Sequence, residues 1–100
     1  VVRAIRLMQA HVEQPLPMGE IARRAGRAQK DLEVRMKREL GATPRAVYRR
    51  IRLLAARKLL KETALPITEV ALRAGYQDAS AMTRAYRAEF GLRPRDERKA

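Results

Sequence analysis

The sequence has 100 residues, of which 46% are apolar, and its formal net charge is +12 with a pI near 11.4. This length suits one domain with a modest core, and so large a basic surplus favours a polyanionic partner such as nucleic acid over a merely soluble surface. The sequence has no cysteine, no signal-peptide pattern and no apolar run of about 20 residues, which excludes disulfides, cysteine-based zinc sites and a membrane-spanning helix and predicts a cytoplasmic protein.

The first segment has apolar residues at helical spacing, Val1, Ile5, Met8 and Val12. This stripe predicts an amphipathic helix that covers a core and ends near residues 13–15. His11 is the only histidine, and no cysteine stands at ligand spacing from it. We therefore expect a surface histidine at the helix end, with no metal, cofactor or catalytic residue in the chain.

A ten-residue motif occurs twice, at residues 17–26 and 66–75, with the frame Pro-x-x-Glu-[Ile/Val]-Ala-x-Arg-Ala-Gly. Its proline suits the first position of a helix, its apolar residues recur at helical spacing, and its glycine suits a left-handed cap after the helix. The copies lie 49 residues apart, and the Gly-x-x-Pro segments that close the two units, at Pro44 and Pro94, lie 50 residues apart. The chain is therefore a duplicated helical unit.

A longer periodic stretch follows each motif. In the first unit it runs over residues 29–40 with the stripe Leu32, Met36 and Leu40, and in the second unit the stripe is Met82, Tyr86 and Phe90. Each stripe predicts a helix with one face in a core. A short helix, a tight glycine-bearing turn and a longer helix are typical of a helix-turn-helix, in which the longer helix enters the major groove of DNA.

The face opposite the first stripe holds Lys30, Glu33, Val34 and Lys37. In a major groove, lysine can donate to guanine, glutamate can accept from cytosine N4, and valine can pack on a thymine methyl. The alternative is an ordinary solvated face on which Glu33 and Lys37 form an ion pair one turn apart. Exposed Val34 fits that alternative less well.

Residues 45–62 connect the two units and have apolar residues on two sides of a helical wheel. One arc holds Val47, Ile51, Leu54, Ala55 and Leu59, and the other holds Leu53, Ala56 and Leu60. This pattern predicts a long linker helix that is packed from two sides. The segment has seven basic residues and one acid. We expect phosphate contacts from Arg49, Arg50 and Arg52 here and from Arg95 in the C-terminal tail, and intramolecular ion pairs are the alternative.

The second unit has Asp78 placed to cap its longer helix. The residues opposite the second stripe are Ala79, Ser80, Thr83, Arg84 and Arg87. Arg84 is the strongest candidate for a base contact, because its guanidinium fork matches guanine O6 and N7. The alternatives for Arg84 are a phosphate contact or a salt bridge to Asp78 or Glu89. The charge-rich residues 93–100 predict a frayed last helix.

These residues resemble the DNA-binding domain of AraC/XylS-type bacterial transcription regulators over almost the whole chain. The resemblance is most specific in VALRAGYQDASAMTRAYRAEFGLRP and in the pattern Arg52-Leu53-x-x-Ala56-x-x-Leu59-Leu60, and LLKETALPITEVALRAGY is most similar to the branch with a glutamine-amidotransferase-like sensor. The resemblance implies two helix-turn-helix subdomains joined by a long helix, with both recognition helices in successive major-groove segments. It also implies an N-terminal effector or dimerisation domain absent from this chain, and activation through RNA polymerase.

By position, the resemblance places base reading on Lys30, Glu33 and Val34 in the first unit and on Ala79, Ser80, Ala81 and Arg84 in the second. The first unit departs from the family pattern, with Ala28 in place of a capping serine, Val34 in place of a frequent arginine and Met36 in place of a frequent phenylalanine. A lost cap costs about 1 kcal/mol. We therefore expect a frayed start to the first longer helix and weaker base reading by the first unit.

We predict an all-α fold of roughly seven helices, in which residues 1–44 and 63–100 form the helix-turn-helix subdomains and residues 45–62 form the linker helix. The predicted function is sequence-specific binding of double-stranded DNA in a bacterial transcription regulator, most readily an activator. Non-specific or architectural nucleic-acid binding and a basic protein-interaction domain are the alternatives. An enzyme is the least favoured class, since the sequence has no Gly-rich phosphate loop and no nucleophile paired with a base. We expect the isolated domain to be monomeric and leave a dimer open for the full-length protein.

Overall fold

The computed structural model describes residues 1–99, and these form seven α-helices and no strand. The helices are α1 (Val2–Ala10), α2 (Met18–Arg24), α3 (Gln29–Leu40), α4 (Pro44–Glu62), α5 (Ile67–Arg73), α6 (Ala79–Phe90) and α7 (Pro94–Lys99). In each half a short helix packs against a longer one, α2 on α3 and α5 on α6. The prediction of an all-α chain with about seven helices is confirmed. Ala100, the last residue of the predicted tail helix, lies outside the described residues.

The long helix α4 is divided between two compact units. The first unit is Val1–Ile51, and the second begins at Arg52. Residues 45–62 were predicted to form a linker helix. In the structure Tyr48 of this segment belongs to the first core, and Leu53 and Ala56 belong to the second. In the broader arc, Val47 and Ile51 pack against the first core, Leu59 packs against the second, and Leu54 is exposed. The other arc is buried in the second core alone.

The first core is built from α1, α2, α3 and the start of α4. Its buried side chains are Ala4, Met8, Ile21, Ala22, Ala25, Leu32, Met36 and Tyr48. Two predicted core positions are wrong: α1 ends at Ala10, so Val12 lies beyond the helix, and Leu40 is 47% exposed at the end of α3. His11 follows the end of α1 as predicted, with its Nδ1 2.9 Å from the carbonyl oxygen of Leu7.

The second core is built from the end of α4 with α5, α6 and α7. Its buried apolar side chains are Leu53, Ala56, Leu60, Val70, Ala71, Ala74, Met82 and Tyr86, and Phe90 packs against them. Unlike the first core, it encloses a carboxylate, Glu97 of α7. The predicted stripe Met82, Tyr86 and Phe90 therefore faces a core, but that core is partly polar.

Equivalent connections in the two units are fastened by residues that stand 50 positions apart. In the first unit the Tyr48 hydroxyl donates to the carbonyl oxygen of His11 and accepts from the Leu16 N–H at 3.1 Å, which fixes the segment between α1 and α2. In the second unit the Arg98 guanidinium donates to the carbonyl oxygens of Leu60 and Leu65, at 3.2 and 2.6 Å, across the segment between α4 and α5. A tyrosine and an arginine thus perform the same structural task.

Helix ends follow the repeated sequence closely, with one correction. Gly41 and Gly91 cap α3 and α6 in the left-handed conformation, with φ of 71° and 78°. Pro17 and Pro66 do not occupy the first helical position but the N-cap before it, where the Pro17 carbonyl accepts from the Glu20 and Ile21 N–H groups. Neither position requires a backbone N–H within the helix, so proline is accepted at both. The motif therefore predicts that a helix starts here but not which residue is its first.

Candidate nucleic-acid interface

The outer face of α3 is open to solvent. Leu32 and Met36 are fully buried and fix which side of the helix points inward. All four predicted base-reading residues of the first unit, Lys30, Glu33, Val34 and Lys37, are consequently exposed, and Val34 is 55% exposed. No ion pair joins Glu33 to Lys37 within residues 1–99, so the solvated pair that was the alternative is not formed. The face presents one carboxylate and one apolar side chain between two ammonium groups.

The outer face of α6 has a different chemistry. Ser80, Arg84 and Arg87 are exposed, and Ala79, Ala81 and Thr83 are partly buried along the same helix. Among the described residues Arg84 has neither a hydrogen bond nor an ion pair, so the predicted alternative of a salt bridge to Asp78 or Glu89 is not formed. The helix start is fixed, because the Asp78 carboxylate accepts from the Ala81 N–H at 2.8 Å. An unengaged guanidinium therefore stands on a capped, well-anchored helix.

The start of α3 lacks the corresponding cap. Ala28 occupies the N-cap position and makes no side-chain hydrogen bond there, as the sequence predicts. The helix nevertheless begins at Gln29, and the Leu32 N–H donates to the Ala28 carbonyl at 3.0 Å. The expected fraying of this helix start stays a prediction.

Several arginines of the first unit are held by acids on their own surface. Glu20 pairs with Arg23 and Arg24, and these hydrogen bonds lower the pKa of Glu20 to about 2. Asp31 pairs with Arg27 and Arg35 at 3.0 and 3.2 Å, and the Arg27 hydrogen bond leads the causes that lower its pKa. Pairs this exposed contribute little to stability, but they reduce the charge available to a polyanion.

The four predicted phosphate contacts divide into two groups. Arg49, Arg50 and Arg95 are exposed. Arg52 is half-buried, and its Nε and Nη2 donate to the carbonyl oxygens of Ala74 and Gly75 at 2.9 and 2.7 Å. Its guanidinium also lies 4.3 Å from the centre of the Tyr76 ring. The structure therefore gives Arg52 an internal role at the end of α5, and its phosphate contact stays a prediction.

The first unit has the same arginine without the same contacts. Arg3 stands 49 residues before Arg52, and Arg27, which pairs with Asp31, takes the place of Tyr76. Among the described residues Arg3 makes no hydrogen bond or ion pair, and a surface cavity of about 420 Å³ lies beside it, lined in part by Ala25 and Gly26. The repeat thus contains one closed and one open version of this arginine site.

Sequence reasoning missed the polar cluster under α6. The Tyr86 hydroxyl donates to Glu97 Oε1 at 2.7 Å, and Arg57 Nε lies 3.0 Å from the same oxygen as an ion pair. Tyr86 was assigned to an apolar stripe, and Glu97 lies in a charge-rich tail that reads as solvated. Only the offset between the copies carries a signal, because Val47 in the first unit becomes Glu97 in the second.

No group of three or more histidine, cysteine, aspartate or glutamate side chains that could hold a metal ion is found in the described part of the chain. None of the helices in residues 1–99 is long and apolar enough to cross a membrane.

Comparison with known proteins gives consistent matches. A family model described as a helix-turn-helix domain matches residues 21–100. The transcriptional regulator GbdR of Pseudomonas aeruginosa is 36% identical over 94 residues, which cover 94% of this chain but only 26% of that protein. The chain therefore spans about a quarter of the length of this curated relative.

Solved structures match over nearly the whole chain. A transcriptional regulator of Chromobacterium violaceum with an AraC-type DNA-binding domain has a TM-score of 0.94 and 35% identity, covering 98% of this chain and 88% of that one. The DNA-binding domain of AdpA, solved in complex with a target DNA, has a TM-score of 0.90 at 22% identity and covers 98% and 88% of the two chains. This second likeness is one of fold.

Proposed function

Because the chain belongs to the AraC-type helix-turn-helix DNA-binding domains of bacterial transcription regulators, we propose that it binds duplex DNA sequence-specifically with α3 and α6 as recognition helices. This is a family of DNA-binding domains and not of enzymes. Each helix is long enough to lie in a major-groove segment, at 12 residues or about 18 Å. Both present a polar outer face while their inner faces are buried.

The observation that carries the proposal is the state of Arg84. Its guanidinium is exposed on the outer face of α6 and has no hydrogen bond or ion pair within residues 1–99. An arginine with no internal partner keeps its five N–H donors for a ligand, and two of them match guanine O6 and N7. Ser80 and Arg87 lie on the same face one turn before and almost one turn after it. We propose that Arg84 reads a guanine and that these neighbours read or flank the adjacent bases.

For the first unit we propose that α3 recognises bases more weakly than α6 and through different side chains. Glu33 accepts from cytosine N4, Val34 packs on a thymine methyl, and Lys30 and Lys37 donate to guanine or phosphate. A carboxylate close to DNA is repelled by phosphates unless a base donor meets it, so Glu33 selects against other bases more than it adds affinity. The missing cap at Ala28 supports this assignment.

Phosphate contacts supply most of the affinity in this proposal. Arg49, Arg50 and Arg95 are exposed, and each phosphate neutralised by such a side chain makes the slope of log K against log salt more negative by about 0.9. Arg52 is left out of this set because its donors are used within the second unit. We further propose that the domain acts in the cytoplasm as a monomeric module of a longer activator that contacts RNA polymerase.

The proposal is tested by selecting the 100-residue chain on a randomised duplex library at near-physiological salt and sequencing the bound pool. We expect two short motifs, with a guanine at one position of the second. Arg84→Ala should flatten that position alone, at a cost of about 1–3 kcal/mol for the preferred duplex. Arg49→Ala serves as the matched control and should weaken all sequences equally. An unenriched pool with salt-sensitive binding would instead establish non-specific association, and the absence of binding would favour a protein partner.

A further inference from the structure

The inner face of α6 is held by a buried polar cluster formed by three helices. Tyr86 of α6 is fully buried, and its hydroxyl donates to Oε1 of Glu97 on α7, a residue only 5% exposed. From α4, Arg57 Nε lies 3.0 Å from the same oxygen, and Lys61 Nζ lies 3.7 Å from Oε2. The Arg57 guanidinium also lies 4.8 Å from the centre of the Phe90 ring, one turn further along α6. Two successive turns of the recognition helix are thus tied to one carboxylate.

The internal repeat shows what this position looks like without charges. At the offsets of 49 and 50 residues, Arg57, Tyr86 and Glu97 correspond to Met8, Met36 and Val47. Met8 and Met36 are fully buried in the first core, and Val47 packs against it. The first unit therefore fills the equivalent positions with three apolar side chains and still packs a short helix, α2, against a longer one, α3.

This comparison separates stability from orientation. Replacing a buried ion cluster by well-packed apolar residues is often neutral or stabilising, so stability alone does not require Glu97 here. Apolar packing is non-directional, whereas the hydrogen bond from Tyr86 to Glu97 weakens steeply when its angle departs from linear. A side-chain tip about 6 Å from the helix axis moves roughly 1 Å for a 10° rotation of the helix. That exceeds the roughly 0.5 Å within which a binding constellation has to be held.

We propose that Glu97 is a positioning residue for base reading: through Tyr86 and Arg57 it fixes the rotation of α6 so that Arg84 meets its base in one geometry. This inference rests on the proposed function, since it assumes that Arg84 contacts a base. The apolar equivalent under α3 leaves the first recognition helix free to adjust. The second unit discriminates more sharply than the first for this reason, in addition to the identity of its outer side chains.

The repeat also supplies the variant that tests the proposal. Arg57→Met, Tyr86→Met and Glu97→Val together give the second core the residues of the first. We expect the triple variant to fold with a thermal midpoint close to that of the wild type and to bind random DNA equally well. Its preference for guanine over the other bases at the Arg84 position, roughly 5- to 150-fold if Arg84 makes a good bidentate contact, should fall at least fivefold.

A second measurement covers the case in which the triple variant does not fold. Tyr86→Phe removes only the hydroxyl and leaves Glu97 paired with Arg57, and it should reduce the same preference by a smaller factor. Arg84→Ala should reduce the affinity less in the triple variant and in Tyr86→Phe than in the wild type. A mispositioned guanidinium contributes less to binding, so its removal costs less. Met36→Leu, the control under α3, should leave the preference unchanged.

Two results would overturn the positioning role alone, and a third would refute the proposed function on which it rests. Undiminished guanine preference in a folded triple variant or in Tyr86→Phe would overturn the positioning role. An equal loss of affinity for all sequences would also overturn it, because Glu97 would then serve only folding. A wild-type chain with no guanine preference would refute base reading by Arg84 and with it the premise of the inference.

Discussion

The guanidinium of Arg52 holds the end of α5 through hydrogen bonds to two carbonyl oxygens, and removing it tests how much these contacts stabilise the second unit. Arg52→Met removes the guanidinium and keeps most of the apolar stem. It deletes two hydrogen bonds to carbonyl oxygens, at 2.9 and 2.7 Å, and the contact with the Tyr76 ring at 4.3 Å. Hydrogen bonds from a charged group are worth about 1.5–3 kcal/mol each, and a partly exposed cation–π contact about 0.5–1 kcal/mol.

Because Arg52 is half-buried, solvent replaces part of what is lost, and the expected decrease in the free energy of unfolding is about 2 kcal/mol. For a chain of this size that is a shift of roughly 8–16 °C in the thermal midpoint. Arg52→Lys should fall between the wild type and Arg52→Met, since lysine keeps the charge but not the planar fork. Arg3→Met is the matched control from the first unit and should change stability by less than about 0.5 kcal/mol.

The assay has two readouts, urea unfolding and the salt dependence of DNA binding well below the thermal midpoint. Arg52→Met should lower the urea midpoint and leave the slope of log K against log salt unchanged. Arg49→Met should leave the urea midpoint unchanged and make the slope of log K against log salt less negative by about 0.9. Suppose instead that Arg52→Met makes the salt dependence less steep, as Arg49→Met does, and leaves the urea midpoint unchanged. The contacts of Arg52 with residues 74–76 are then not formed in solution, and Arg52 contacts phosphate.

Three further outcomes are expected. Asp78→Ala should lower the free energy of unfolding in urea by about 1 kcal/mol because it removes a helix cap. Ala28→Ser should raise it by about 0.5–1 kcal/mol because it supplies one. No gain from Ala28→Ser would show that the N–H groups at the start of α3 already have other acceptors. Leu40→Ala should cost less than about 0.5 kcal/mol and Met36→Ala about 2–4 kcal/mol, and equal losses would contradict the exposure of Leu40. Tyr86 and the nearby cations hold the pKa of the Glu97 carboxyl below its ordinary 4.5 despite burial, so its contribution is complete above that value and is lost as pH falls through the lower folded pKa. The difference in urea midpoint between the wild type and Glu97→Gln should therefore be full near neutral pH and shrink as the pH falls below 4.5, and a constant difference would contradict it.

Much of the fold was predictable because it depends on local periodicity and on residues with special backbone preferences. The bounds of α3 agree with the predicted residues 29–40, since a core stripe, an αL glycine and a short preceding turn all act within a few residues. The Asp78 cap was predictable for the same reason, because an N-cap contact spans only three residues. The errors lie at the ends of stripes, where periodicity continues beyond the neighbouring helix that would cover it, as at Val12 and Leu40.

The outer faces of α3 and α6 were also predictable, because the buried stripe of a helix determines the opposite side. Whether a particular charge is engaged was not. Arg52 and Arg49 stand three residues apart in one basic helix, yet one donates to the end of α5 and the other is exposed. Their sequence surroundings are alike, and the difference arises from Ala74, Gly75 and Tyr76, which are more than 20 residues away along the chain.

The sequence by itself determined the duplication and the buried faces of α3 and α6, since these follow from residue spacing and from glycine, proline and apolar positions. Its resemblance to the AraC-type domains implied the family and the roughly seven helices. Only the tertiary structure decided which charges are internal. Glu97 is enclosed because α4, α6 and α7 bring a tyrosine, an arginine and a lysine around it, and a carboxylate can be buried only where such partners meet it. Contacts between groups distant along the chain have no local pattern, so the polar cluster around Glu97 is a property of the packed unit.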